Sequence, residues 1–215
     1  MADLRGFVAQ RSVGVAADGT RVGLKATRRG ELIVMDFFTQ MAIEQRVFQV
    51  RAGTITAPLV GAVTIGATGA EACADAALGL TLIPCQMNMS VRLGGGTLHE
   101  YALKSTPTAS TAGTAFVPLN LCIGGRPPAS TARVQAAGSV TVTSEVATAT
   151  LRHWTHSNPL AVAAGDEPLA FDWAPIYPPT LVGPACFYLQ VAATTTGPSY
   201  YASFDYVELP TGNVT

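Results

Sequence analysis

Charge is what this chain has least of. Only 13% of its 215 residues are Asp, Glu, Lys or Arg, about half the usual share, and the formal net charge is −1. A protein that coats nucleic acid by neutralising phosphates needs a basic surplus, so that class is excluded for the chain as a whole. The scarcity of charge is not disorder either, because 48% of the residues are hydrophobic. One domain of this length can bury a full core.

Long apolar runs are missing too. The longest stretch without Asp, Glu, Lys or Arg, Trp173 to Phe204, is broken by Pro175, Pro178, Pro179, Pro184 and Pro198. Ala52–Ala70 is uncharged but carries Gly53, Pro58, Gly61, Gly66 and Gly69. A spanning helix needs about 20 mostly apolar residues with little punctuation, and neither stretch offers that. Met1–Phe7 shows no apolar h-region, so the reading is a protein made in the cytoplasm without a signal peptide.

Motifs that carry chemistry are equally scarce. Cys73, Cys85, Cys122 and Cys186 form no C-x-x-C and no short pairing with His, and they read as buried, reduced thiols rather than ligands. There is no Gly-x-Ser-x-Gly elbow or activated-Cys signature, and the carboxylates are scattered. A triad assembled in space is not excluded by spacing. Gly94-Gly95-Gly96 lies between two strand patterns and reads as a turn, not a phosphate cradle. His153 and His156 flank Trp154 and Thr155; on a strand, positions three apart face opposite ways, so a shared metal needs a turn there. The expectation is no cofactor, no metal, no catalytic residue and no enzyme.

What is present is short alternation between turn residues. Val13-Gly-Val15 and Val22-Gly-Leu24 flank Asp18-Gly19, a hairpin signal. Met89, Val91 and Leu93 alternate with polar residues before the glycines, and His99, Tyr101 and Leu103 do so after them, which reads as a second hairpin. Val140–Thr143, Cys186–Val191 and Tyr200–Leu209 alternate as well. Weaker strands are expected at Phe48–Arg51, Ala62–Ile65, Leu80–Ile83, Phe116–Leu121 and Arg133–Ala136. About ten strands with such spacing predict an antiparallel β-sandwich or barrel. Glu31–Gln45 differs: Leu32, Met35, Phe38 and Met41 fit a helical stripe, so a strand entering one short helix is expected.

Charge is also uneven along the chain. Residues 1–152 hold all 13 basic side chains, whereas 153–215 hold no Lys or Arg, five acidic residues and ten of the 16 aromatic ones. That is either chance or a pair of opposite-signed faces that meet between copies. On the second reading, Trp173, Tyr177, Asp166 and Glu167 lie at a subunit interface with Arg126 and Arg152 as complements; Trp173 and Tyr177 are expected in a proline-rich loop. Lys25, Arg28 and Arg29 form a small basic cluster, a solvated hairpin end or a contact with an acidic partner or packaged nucleic acid.

The order of features resembles single jelly-roll virion structural proteins of bacteriophages. The likeness rests on the early Asp-Gly hairpin, Thr27-Arg-Arg-Gly-Glu-Leu-Ile-Val, Arg46-Val-Phe-Gln-Val-Arg-Ala-Gly-Thr, the glycine turn at 94–96, and Leu181-Val-Gly-Pro-Ala-Cys-Phe-Tyr before a final aromatic strand. The resemblance implies one jelly-roll domain over 1–215, with 1–30 as an N-terminal hairpin or arm and at most one or two short helices. It implies a virion subunit of shell, decoration or spike, whose partners are copies of itself, as a trimer or lattice, and other virion proteins. The alternative from another class is a carbohydrate- or receptor-binding sandwich with Trp154, Trp173, Tyr177, Tyr200 and Tyr201 as an aromatic platform.

Overall fold

The structure, a computed structural model, describes residues 37–63, 69–92, 98–124, 128–142, 149–157, 169–194 and 197–213. In chain order the described elements begin with α1 (Phe37–Ile43), β1 (Val47–Ala52), β2 (Leu59–Val60), β3 (Gly69–Ala76), β4 (Leu80–Arg92), β5 (Leu98–Thr106), β6 (Thr114–Phe116) and β7 (Leu119–Asn120). They continue with β8 (Arg133–Thr141), β9 (Ala149–Ser157), β10 (Leu169–Trp173), β11 (Leu181–Val182), β12 (Ala185–Ala193) and β13 (Ser199–Pro210).

All the strand pairs are antiparallel and fall into two facing sheets. One runs β10-β4-β13-β1-β7, with β11 on β4 and β2 on β13; the other runs β6-β8-β3-β12-β5-β9. With β2, β6, β7, β8 and β11 set aside, the sheets are β1-β13-β4-β10 and β3-β12-β5-β9. The chain crosses between them at almost every connection, staying in one sheet only from β5 to β9. This is the eight-strand jelly roll, with β6, β7 and β8 inserted between its fourth and fifth strands.

The core lies where inward positions of both sheets meet. Phe48, Val50 and Ala52 of β1 and Ala202, Phe204 and Tyr206 of β13 face Phe187, Leu189 and Val191 of β12 and the small Ala72, Ala74 and Ala76 of β3. Phe187 meets Phe204 edge to face at 5.6 Å and 74°, joining the two sheets through one ring pair. In β4 the inward set changes parity, from Leu80 and Leu82 to Met87, Met89 and Val91. The register explains it: Gln86 pairs with Asp205 and Pro84 with Tyr206, so Cys85 is the extra residue of a β-bulge. Pro84 sits where a proline costs least in a central strand.

Helix α1 covers the lower outer face of the first sheet, with Met41 packed on Val47, Ile83, Val207 and Leu209. It stops because Gln45 takes a left-handed conformation, φ 62°. Arg46 N–H then donates to the Met41 carbonyl and Gln45 N–H to the Ala42 carbonyl, satisfying carbonyls the helix end would orphan.

Several expectations need correction. The alternating segments on either side of the glycine turn are strands, yet not a hairpin: β4 belongs to the first sheet, while β5 pairs with β12 and β9 in the second. Alternation fixes which face is buried, not which strand lies alongside. Trp173 is not in a loop; it ends β10, opposite Met87. Strands β2, β3, β9, β10 and β11 were not expected, the segments at 80–83 and from 89 onward are one strand, β4, and the described residues hold thirteen strands. Cys85 and Cys122 are only half-buried; Cys73 and Cys186 are buried, and all four are free thiols. Residues 1–30, the 13–24 hairpin and the 94–96 turn lie outside the described residues.

Candidate functional site

Proline decides how the two flanks of the first sheet end. On one flank, Val117 and Leu119 bracket Pro118 as the chain passes from β6 to β7, and Ile123 follows in the next turn. On the opposite flank, Ile176 and Tyr177 precede Pro178 and Pro179 as the chain runs beside β4 from β10 to β11. A residue before proline is held extended, and proline has no N–H to offer another strand. At these prolines, which lie in the connections beside edge strands β7 and β10, the chain cannot add a full ladder and presents side chains instead. Val117 is 92% exposed, Ile123 82%, Ile176 88% and Tyr177 90%.

The residues singled out from sequence fall in different places. Tyr177 is on the surface, as just described. Trp173 is 8% exposed and stacks on Phe187 at 6.0 Å, so it belongs to the core rather than to any surface. Arg152 is exposed on the edge strand β9, its guanidinium 5.7 Å over the Trp154 ring. Trp154 is half-buried against Phe171 at 5.6 Å. Strand β9 runs unbroken through residues 153–156, so the turn a shared metal there would need is not formed; His153 Nε2 lies 3.2 Å from Glu100 Oε1. Arg126, Asp166, Glu167, Lys25, Arg28 and Arg29 lie outside the described residues.

The five rings proposed as a platform do not converge on one surface. Trp173 and Tyr200 are buried, Trp154 and Tyr201 half-buried, and Tyr177 alone is fully exposed. A shallow depression of about 390 Å3, of mixed polar and apolar surface, does occupy the upper outer face of the first sheet. Its floor is a cross-strand grid: Arg51 beside Ser203 beside Asn88, with Tyr201 beside Ser90 and Gln49 at the lower margin. Arg51 Nε donates to Gln49 Oε1 at 3.0 Å, and Gly53, Thr54 and Ile55 form the rim.

Between the sheets sits an ionisable group that sequence alone left unremarked. Glu71 is buried at the irregularity where β3 meets β8, and burial pushes its carboxyl up to about 7. The Tyr200 hydroxyl shares this space; desolvation and the Glu71 charge raise it well above its ordinary value. Only the apolar residues beside proline, at 117–118 and 176–179, could have pointed to the flanks. Nothing in the sequence spacing could have pointed to Glu71.

Comparison with known proteins finds no family model that matches the chain and no curated protein with significant similarity to it.

Proposed function

We propose that this protein is a structural subunit that assembles with copies of itself through the flanks of its first sheet, without catalysis, as jelly-roll virion proteins do in a shell, decoration or spike. The observation that carries this reading is the exposed apolar side chains on opposite edges of one sheet, Val117, Leu119 and Ile123 on one and Ile176 and Tyr177 on the other. Each set has proline beside it, so its side chains are presented at low entropic cost. Different patches on opposite edges make a head-to-tail contact, which closes into a ring or continues as a lattice. The low charge of the chain fits a surface that is covered in the assembled state.

The test is light scattering and electron microscopy of purified protein, with two double variants. Ile176→Ser/Tyr177→Ser and Val117→Ser/Ile123→Ser should each abolish large assemblies. Mixed together, they should form a dimer and nothing larger, because each supplies one intact edge. A wild-type chain that stays monomeric at high concentration overturns the proposal.

A second reading, a carbohydrate- or receptor-binding module, is favoured by this mixed depression rather than by the five rings. Its Arg, Asn, Gln and Ser side chains on a rigid sheet, with Tyr201 beside them, suit a neutral sugar. Glycan-array binding lost in Asn88→Ala would support it; no glycan bound would dismiss it.

A further inference from the structure

A group of side chains on the outer face of the second sheet goes beyond either reading. Cys73 and Asp75 lie two residues apart on β3 and so share a face. Cys186 of β12 is the cross-strand partner of Asp75, which places it on that face too. The donor atoms of Cys73, Asp75 and Cys186 all lie within 4.8 Å of one another, and all three side chains are buried. Ser110, carried by the connection after β5, closes over them: its hydroxyl lies 3.2 Å from Cys73 Sγ and donates to Asp75 Oδ2 at 2.8 Å. Its N–H donates to Asp75 Oδ1 at 3.0 Å. Ala70, Val140, Val142 and Tyr188 form the apolar surround.

We propose that Cys73, Cys186 and Asp75 form a closed structural site for one thiophilic divalent cation of the zinc class. Two sulfurs and a carboxylate oxygen are a donor set that selects zinc-like ions over magnesium or calcium. In a tetrahedral site with metal–sulfur bonds near 2.3 Å, ligand atoms stand roughly 3.5–3.8 Å apart, which small side-chain rotations from the present separations reach. The fourth position faces the Ser110 hydroxyl. Binding is balanced as two thiols and a carboxylate taking up one dication and releasing two protons to solvent. Burial leaves no open coordination position for a substrate, so the role is to pin β3, β12 and the Ser110 segment together. No Cys-Cys spacing announces such a site, because its two sulfurs come from separate stretches of chain, β3 and β12.

The test uses reduced wild-type protein stripped with chelator and then given Co2+ or Zn2+. One Co2+ per chain should bind, with the intense near-ultraviolet sulfur-to-cobalt absorption of thiolate ligation. Native mass spectrometry with Zn2+ should show the chain plus one zinc less two protons. Ser110→Ala, which removes the hydroxyl at the fourth position together with its contacts to Cys73 Sγ and Asp75 Oδ2, should weaken Co2+ binding about 10–100-fold. Cys73→Ser or Cys186→Ser should abolish the sulfur band, while Cys85→Ser and Cys122→Ser keep it. A wild type that gives no sulfur band and no zinc-loaded mass overturns the proposal, whether or not the variants fold. A band that survives loss of both Cys73 and Cys186 overturns it equally.

Discussion

The Ser130 hydroxyl donates a 2.6 Å hydrogen bond to the carboxylate of Glu208, across 78 positions of chain. The same carboxylate accepts from the Thr131 N–H and hydroxyl and from the Ala132 N–H. Tyr206 joins through its own hydroxyl, 2.7 Å from that of Ser130. One side chain thus fixes the entry to β8 against the end of β13. Replacing it strands several donors at once. Glu208→Ala should cost about 2–4 kcal/mol in urea unfolding, more than a typical single hydrogen bond. A loss under about 1 kcal/mol would show that water replaces the carboxylate.

Glu71 should make stability depend on pH. Its folded-state value, about 7, lies above the ordinary 4.5, so the folded state holds the proton more tightly than the unfolded chain. That contribution is complete at or below pH 4.5, declines as pH rises toward 7, and is flat above. Asp205, also raised chiefly by burial, slopes the same way. Urea midpoints measured from pH 4.5 to 7.5 should fall more steeply for wild type than for Glu71→Gln. The difference between the two slopes should total on the order of 3 kcal/mol. Parallel profiles would contradict it.

Trp173 and Tyr177 should behave oppositely despite being four residues apart. Trp173→Ser should remove core packing and cost about 3–5 kcal/mol. Tyr177→Ser should change monomer stability by less than about 0.5 kcal/mol. Thermal melts of the two single variants decide it, and equal effects would mean that Tyr177 packs on its own chain.

The thiols should react in a fixed order. Cys73 and Cys186 are buried, so in chelated, reduced native protein they should stay silent to a thiol reagent. Cys85 and Cys122 are both half-buried, but burial and then the Asp205 charge push the Cys85 thiol up to about 12. Its Sγ also donates to the Asp205 carbonyl at 3.3 Å. Cys122 should therefore be labelled first and Cys85 much later, with four thiols found after denaturation. Mass spectrometry of the labelled peptides checks the order; Cys85 labelled first would reverse the argument.

Strand identity was written in the sequence wherever large residues alternate, as in Ala202, Phe204 and Tyr206. It was hidden wherever the core side is small: β3 reads Gly-Ala-Glu-Ala-Cys-Ala-Asp-Ala, and its inward alanines carry no hydrophobic contrast with their neighbours. Two carboxyl groups in that run, Glu71 and Asp75, look like surface residues, yet both are buried by what packs over them. The parity change in β4 was legible in principle, because Leu80 and Leu82 cannot share a face with Met87 and Met89 without an inserted residue. Strand partnership was not legible, since the two alternating segments around residue 95 carry no mark of belonging to different sheets. The short helix was, because Met41 repeats the spacing of Phe38 on a run without glycine or proline.

Strand β13 comes after every other described strand and yet lies at the centre of its sheet, between β4 and β1. During synthesis both of those neighbours must wait, each with an open hydrogen-bonding edge, until residues 199–210 have left the ribosome. Contacts between positions so far apart close slowly, on the millisecond-to-second scale of β-sandwiches. A nascent chain stopped before Ser199 should stay unfolded and protease-sensitive rather than form a smaller sandwich, and proteolysis of ribosome-stalled chains would reveal it. The fold thus acts as a checkpoint on translation: until residues 199–210 are made, nothing joins β4 to β1.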